Sequence, residues 1–297
     1  MFSPRYCLAS VVGQVATDNA DAAANPWAWR CALIDQVIAG SGLALLVLGG
    51  AVWLCRGRRD PLAGAPARPN RLVPEHLIAV VVAFLFILIL LQWAVQLLPA
   101  GVELKLTAGS VAQLLGGTMC LIVAAKLFDG GVPRFVLGGG RVPARVVEGA
   151  LLFLIALPVC DVVFTVTRDL VTWIAPAYDA PEHAVIDALR THTEPAWLLW
   201  LGAALVAPLS EELFFRGLIQ TFLRQATGRP WAAVVLAALV FGIAHNPQPH
   251  AVPTITVLGL ILGVSYERTG SLVAPMTLHV LFNLKTLVWE GLGVTSG

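Results

Sequence analysis

Two adjacent carboxylates and a guanidinium, Glu211, Glu212 and Arg216, sit in the stretch LSEELFFRGL. The runs AWLLWLGAALVAPL before it and WAAVVLAALVFGIA after it carry no charge. Charges inside an apolar helix are costly, face the protein interior and mark function. Positions i and i+4 share a helix face, so Glu212 and Arg216 can neutralise one another. Glu211 lies about 100° round the helix from Glu212 and pairs poorly with Arg216. A buried ion pair accounts for two of the three residues and leaves Glu211 without a partner. A carboxylate held away from bulk water and free of a counter-ion suits a general base.

Two more polar sets lie in apolar stretches further on. In FGIAHN, Phe241 and His245 are i, i+4, which places ring and imidazole on one face. In HVLFN, His279 and Asn283 have the same spacing, and both can donate hydrogen bonds. Taken singly, a core histidine or a polar contact between helices explains either set. Asp35, Glu148, Asp161, Arg168, Asp169 and Lys285 receive no chemistry; Asp161 lies nearest the middle of a span.

One base, two imidazoles and an amide donor suit hydrolysis of an acyl bond. Glu211 would take a proton from water, His245 would orient that water, and His279 and Asn283 would donate to the developing oxyanion. Other intramembrane protease chemistries fit poorly. No HExxH zinc motif is present, and HNPQPH has the wrong spacing. GxGD and GxSxG motifs are absent too.

The elements that would hold these residues follow from composition. The 297 residues are 58% hydrophobic and 12% charged, with mean hydropathy +0.80. A soluble domain carries about 25% charged residues. The chain is expected to be all-α, a polytopic membrane helix bundle. A crossing helix needs about 20 apolar residues. Eight spans are expected, at 32–55, 76–98, 109–128, 147–167, 195–223, 231–247, 251–266 and 271–291. CRGRRDPLAGAPARPNR reads as a basic, non-membrane linker. The run 174–195 reads as a loop with a short interfacial helix. Net charge +1 gives no reason to expect nucleic acid.

Lys and Arg set orientation. Of the 19 in the chain, Arg5, Arg30, Lys105, Arg168, Arg190 and Lys285 fall on one side, Arg216 lies within a span, and the rest share the other side. That asymmetry places both termini outside. At about 1.5 Å per residue, Glu211 lies about 20 Å, His245 about 21 Å and His279 about 12 Å from the inner ends of their spans. With tilt, the three reach one cavity, nearer the inner face. The five cysteines are scattered, with no metal spacing. They read as small apolar residues, with a Cys7–Cys31 bridge as the alternative for that pair. No cleavable signal peptide and no lipidation motif is read at the ends.

EELFFR, FGIAH and HVLFN, in this order, match EExxxR, FxxxH and HxxxN. Together with the run YERTGSLVAPMTLH, they resemble the CPBP (ABI) family, which includes the type II CAAX prenyl endopeptidases. The resemblance covers residues 146–293. It implies a glutamate-type intramembrane protease with catalytic Glu211, water-orienting His245, oxyanion-stabilising His279 and Asn283, and supporting Glu212, Arg216 and Phe241. It implies no cofactor; were zinc bound, Glu211, His245 and His279 would be its ligands. The expected partners are the bilayer and a peptide or lipidated, CaaX-type protein cut near its C-terminus. The expected location is the bacterial inner membrane. The chain divides into residues 1–75 (outer segment, first span and basic linker), 76–145 (two accessory spans) and 146–297 (catalytic core). The alternative is a non-catalytic scaffold or bacteriocin-immunity-type protein of the same fold. A transporter, which would call for matched discontinuous halves, ranks last because no internal symmetry is visible.

Overall fold

The computed structural model describes residues 25, 27–55, 57, 60–97, 102–175, 197–245 and 250–292. They form α1 (Ala28–Cys55), α2 (Pro74–Gln96), α3 (Val102–Leu127), the short α4 (Gly131–Leu137) and α5 (Val142–Ile174). The composite α6 starts with Trp197–Leu201 and ends with Thr221–Thr227. Then come α7 (Pro230–Ala244), α8 (Val252–Thr269) and α9 (Val273–Gly291). Proline stands in the first turn of α2, α5, α7 and α8, where its missing N–H would be unpaired anyway. Gly228 and Gly270 end α6 and α8 in the left-handed conformation, at φ 66° and 63°.

Ala28–Cys55, Pro74–Gln96, Thr107–Leu127, Gly131–Ile174 and Leu198–Thr227 are long and apolar enough to cross a membrane; Pro230–Ala244 is a shorter apolar helix. With α8 and α9 they make the helical membrane bundle expected from composition. At 33 residues, α5 overshoots its expected span. Residues 176–195, including the expected interfacial helix, lie outside the described residues. Cys7 does too, and Cys31 is a free thiol.

Small residues let the helices that carry the polar sets approach closely. A Cβ on Gly149 of α5 would lie 2.4 Å from the carbonyl oxygen of Ala274 in α9. A Cβ on Gly242 of α7 would lie 2.0 Å from the Thr256 hydroxyl of α8. Gly149→Ala is therefore expected to cost about 1–3 kcal/mol of stability, as overpacking does. Chemical unfolding in detergent measures this; an unchanged midpoint would show that the α5–α9 contact yields freely.

The basic linker, outside every helix as its composition suggested, packs onto the end of the bundle through residues 60–73. Leu62 and Leu72 are buried, Trp231 Nε1 donates to Asp60 Oδ1, and Asn70 bridges to Phe128. Arg68 pairs with the fully buried Glu267 and lies 4.3 Å from the Tyr266 ring centroid. Glu267 also accepts from Arg224 Nε at 3.0 Å and Gln220 Nε2 at 3.1 Å. A buried carboxylate needs such partners. Glu267 thereby ties linker, α6 and α8 together at the arginine-rich end. At the opposite end, Lys285 Nζ lies 3.3 Å from Asp35 Oδ1, and Trp289 Nε1 donates to Asp35 Oδ2.

Candidate active site

The site is built on α6, which is not a uniform α-helix. Gly202–Val206 and Leu213–Gln220 are wound as π-helix, on either side of the α-helical segment Ala207–Glu212. Such π segments inside longer helices recur at functional sites. One cause here is local. The Ala207 N–H bonds back to Gly202, and Pro208 has no N–H to offer. The carbonyl of Ala203 is thus left without a helical donor, and Asn283 Nδ2 of α9 donates to it at 3.0 Å. A missing proton on one helix is supplied by an amide on another.

Next to this junction stand Glu211 and Glu212. Glu212 is fully buried, and Arg216 is 1% exposed. Arg216 Nη1 lies 3.1 Å from Glu212 Oε1. Arg216 Nη2 donates to the Gly259 carbonyl, and the guanidinium carbon lies 4.3 Å from the Phe241 ring centroid. A guanidinium over an aromatic face is held by the ring's quadrupole.

Glu212 has a second partner that spacing along one helix did not reveal. His279 Nδ1 of α9 lies 2.9 Å from Glu212 Oε1. Glu212 Oε1, facing the Arg216 guanidinium, acts as an acceptor, so the Nδ1 nitrogen donates to it. The other ring nitrogen, His279 Nε2, lies 3.8 Å from Glu211 Oε2.

His245 arrives at the same oxygen from α7. It does not lie within the helix, as the i, i+4 reading had it; it is the residue that ends α7. Ending the helix there frees the imidazole to turn back. Its Nδ1 donates to the Phe241 carbonyl at 2.8 Å, since a carbonyl only accepts. Its Nε2 lies 3.8 Å from Glu211 Oε2. The Phe241 ring, fully buried, meets both imidazoles edge-on, with centroid distances of 4.7 Å to His245 and 5.7 Å to His279.

Glu211, His245 and His279 therefore converge, each imidazole turned the same way by its Nδ1–H. When both rings are neutral, three acceptor atoms face one another. A water donating two protons suits such a point, since it lies beyond direct hydrogen-bond reach but within that of one bridging water. Three acceptors would also attract a cation. Among the described residues, however, no group of three His, Cys, Asp or Glu side chains is arranged as a metal site. Glu211 keeps 20% of its side chain exposed, and His245 31%, whereas His279 keeps 4%. The first two border an opening; the third is sealed in. Asp161 lies on an exposed stretch of α5 and is not among the residues that meet here.

Sequence reasoning missed the bond from Asn283 to Ala203, the double duty of Glu212 and the buried Glu267. Pro208, five residues after Ala203, was the signal for the first. Glu267 sits in the YERTG run with no partner within helical reach on its own helix except neighbouring Arg268.

Residues 193–285 match the family described as "Type II CAAX prenyl endopeptidase Rce1-like". The match contains all three polar sets. Three curated bacterial proteins are similar over the same order of length. "Uncharacterized 24.3 kDa protein" of Escherichia coli is 30% identical over 86 residues, which is 28% of this chain and 40% of that protein. "Putative membrane peptidase YdiL" of Bacillus subtilis is 26% identical over 93 residues, 31% of this chain and 37% of its own length. "Uncharacterized protein YpbD" of Bacillus subtilis is 33% identical over 79 residues, 27% of this chain and 39% of its own length. The aligned part thus spans about two fifths of the relatives' length. No solved structure matches.

Proposed function

We propose that this chain, similar over residues 193–285 to the type II CAAX prenyl endopeptidases, is a metal-free glutamate protease of the membrane. It hydrolyses a peptide bond near the C-terminus of a membrane-associated protein or peptide, with prenylated CaaX-type chains as one substrate class. The observation that carries this reading is the meeting of Glu211 Oε2 with His245 Nε2 and His279 Nε2, at 3.8 Å each.

In the reaction, a water between Glu211 and His245 loses a proton to Glu211 as its oxygen attacks the scissile carbonyl carbon. His245, with Nδ1–H on the Phe241 carbonyl, presents an Nε2 lone pair that fixes the second proton of that water. Negative charge gathers on the former carbonyl oxygen. His279, which enters and leaves the reaction with a proton on each nitrogen and its Nδ1–H on Glu212, donates to it from Nε2. Asn283 has one amide N–H on Ala203 and a second left for the same oxyanion. The proton held by Glu211 then passes to the leaving amine. Phe241, fully buried, limits bulk water to the opening at Glu211 and His245. The orientation with both termini outside and the site nearer the inner face rests on the distribution of Lys and Arg, and a bacterial inner membrane on the relatives.

Purified full-length protein in detergent, incubated with a library of C-terminal peptides with and without a farnesyl group, tests the reading. Cleavage near the C-terminus that persists in EDTA is expected. Cleavage abolished by EDTA and restored by zinc would replace the glutamate–water mechanism with a metal one. Failure to cut any peptide would favour the non-catalytic alternative.

A further inference from the structure

A second feature lies on the far side of α5 from the catalytic residues. An open groove of about 480 Å³ lies between α1, α5 and the end of α8. Its walls include Leu45 of α1 and Leu151 and Ile155 of α5, and its rim carries Arg145, Glu148 and Arg268. Beside it, α1 packs closely on α5. At Gly42 the two helices touch so closely that a Cβ would sit 2.1 Å from the Leu154 carbonyl oxygen. Two turns further, at Gly49, no neighbouring atom lies within 4 Å of where a Cβ would stand. Only Cys31 and Gly42 of α1 are buried in the protein.

The rim and the walls occupy different levels of the membrane. Arg145 stands in the first turn of α5 and Arg268 in the last turn of α8, both at the arginine-rich end where headgroups lie. From Arg145 to Ile155 the apolar wall runs about 15 Å along the helix, roughly half the hydrocarbon core. Charges on the rim do not cancel. Arg145 Nη1 holds Glu148 Oε2 at 2.8 Å, whereas exposed Arg268 has no hydrogen bond or ion pair among the described residues. Two guanidinium groups and one carboxylate leave a single positive charge.

We propose that this slot binds one anionic phospholipid, with its phosphodiester on Arg268 and Arg145 and one acyl chain between α1 and α5. The surplus charge of one matches the single negative charge of a phosphodiester. The apolar depth matches a chain, which a free phosphate lacks. α5 itself separates the slot from the catalytic cluster: Ala156 packs on the Phe241 side, while Leu151 and Ile155 line the slot. The occupant is therefore a bracing lipid that fills the gap beside α1 rather than the peptide being cut, and the proposal stands whether or not the protein is a protease.

Native mass spectrometry of the full-length protein, offered phosphatidylglycerol and phosphatidylcholine in equal amounts, tests it. One retained phosphatidylglycerol is expected. Arg268→Gln should lower the preference for it by about fivefold, the contribution of one basic residue at a lipid surface. Leu151→Trp, which fills the slot without touching the rim charges, should remove the adduct. Both positions are exposed, so both variants should keep the parental melting temperature. Four outcomes would overturn the proposal: equal retention of the two lipids, an unchanged preference in Arg268→Gln, displacement by millimolar inorganic phosphate, or displacement by a farnesylated peptide. The last would make the slot a substrate subsite.

Discussion

Glu211→Gln is expected to lower peptide hydrolysis by roughly 10²–10⁴-fold, the usual contribution of a positioned general base. The amide keeps the size and shape of the carboxylate but cannot take the proton from water. Glu211 is only the lesser charge neighbour of Arg216, behind Glu212. Its Oε2 stands 3.8 Å from two imidazoles, and the nearby guanidinium of Arg216 is paired with Glu212 instead. The variant should therefore insert, fold and melt like the parent. Glu211→Asp keeps the base but withdraws it by more than 1 Å, a displacement that costs about 10²-fold. Its rate is thus expected between those of the parent and the glutamine variant. Initial rates on one cleaved peptide decide the matter. A glutamine variant within tenfold of the parent would remove Glu211 from the mechanism.

Glu212→Ala is expected to fail differently, through the fold first. Arg216 is 1% exposed, and removal of Glu212 leaves its charge buried without a carboxylate. Breaking one side of a buried ion pair costs about 3–5 kcal/mol, a large part of the stability of an ordinary domain. Lower yield and an earlier unfolding transition should report this. A second variant separates stability from chemistry. Glu212→Leu combined with Arg216→Met removes both charges, and such apolar replacements are often neutral or stabilising. That double variant should fold, yet His279 Nδ1 would have lost its acceptor. Loss of the carboxylate that fixes an imidazole's tautomer costs up to about 10⁴-fold in rate. A folded double variant with parental activity would show that Glu212 serves only to neutralise Arg216.

The two carboxylates differ because each faces a different neighbour, and only part of that difference is local. The i, i+4 spacing of Glu212 and Arg216 already pointed to the pair, and the spare carboxylate followed by elimination. Helix type and the approximate spans were legible for the same kind of reason: a run of apolar residues must satisfy its backbone within itself when no water is available. Short-range rules carry that much, since every atom involved lies within a turn or two. Boundaries were less legible. α5 runs past its apolar centre at both ends, and α7 stops at Ala244, so that His245 turns back over Phe241 instead of continuing a helical face.

What the residues settled alone is therefore the membrane bundle, the polar sets and the Glu212–Arg216 pairing. What the tertiary structure decided is which atoms meet. The imidazole of His279 is oriented by Glu212 from 67 positions earlier, and the carbonyl freed by Pro208 is capped by Asn283 from 80 positions after Ala203. Arg68, in the basic linker, reaches Glu267 from 199 positions away. No periodicity along one helix encodes such contacts. They arise because a buried donor or acceptor must find a partner somewhere, and the packing of α6 against α7, α8 and α9 determines which partner lies within reach.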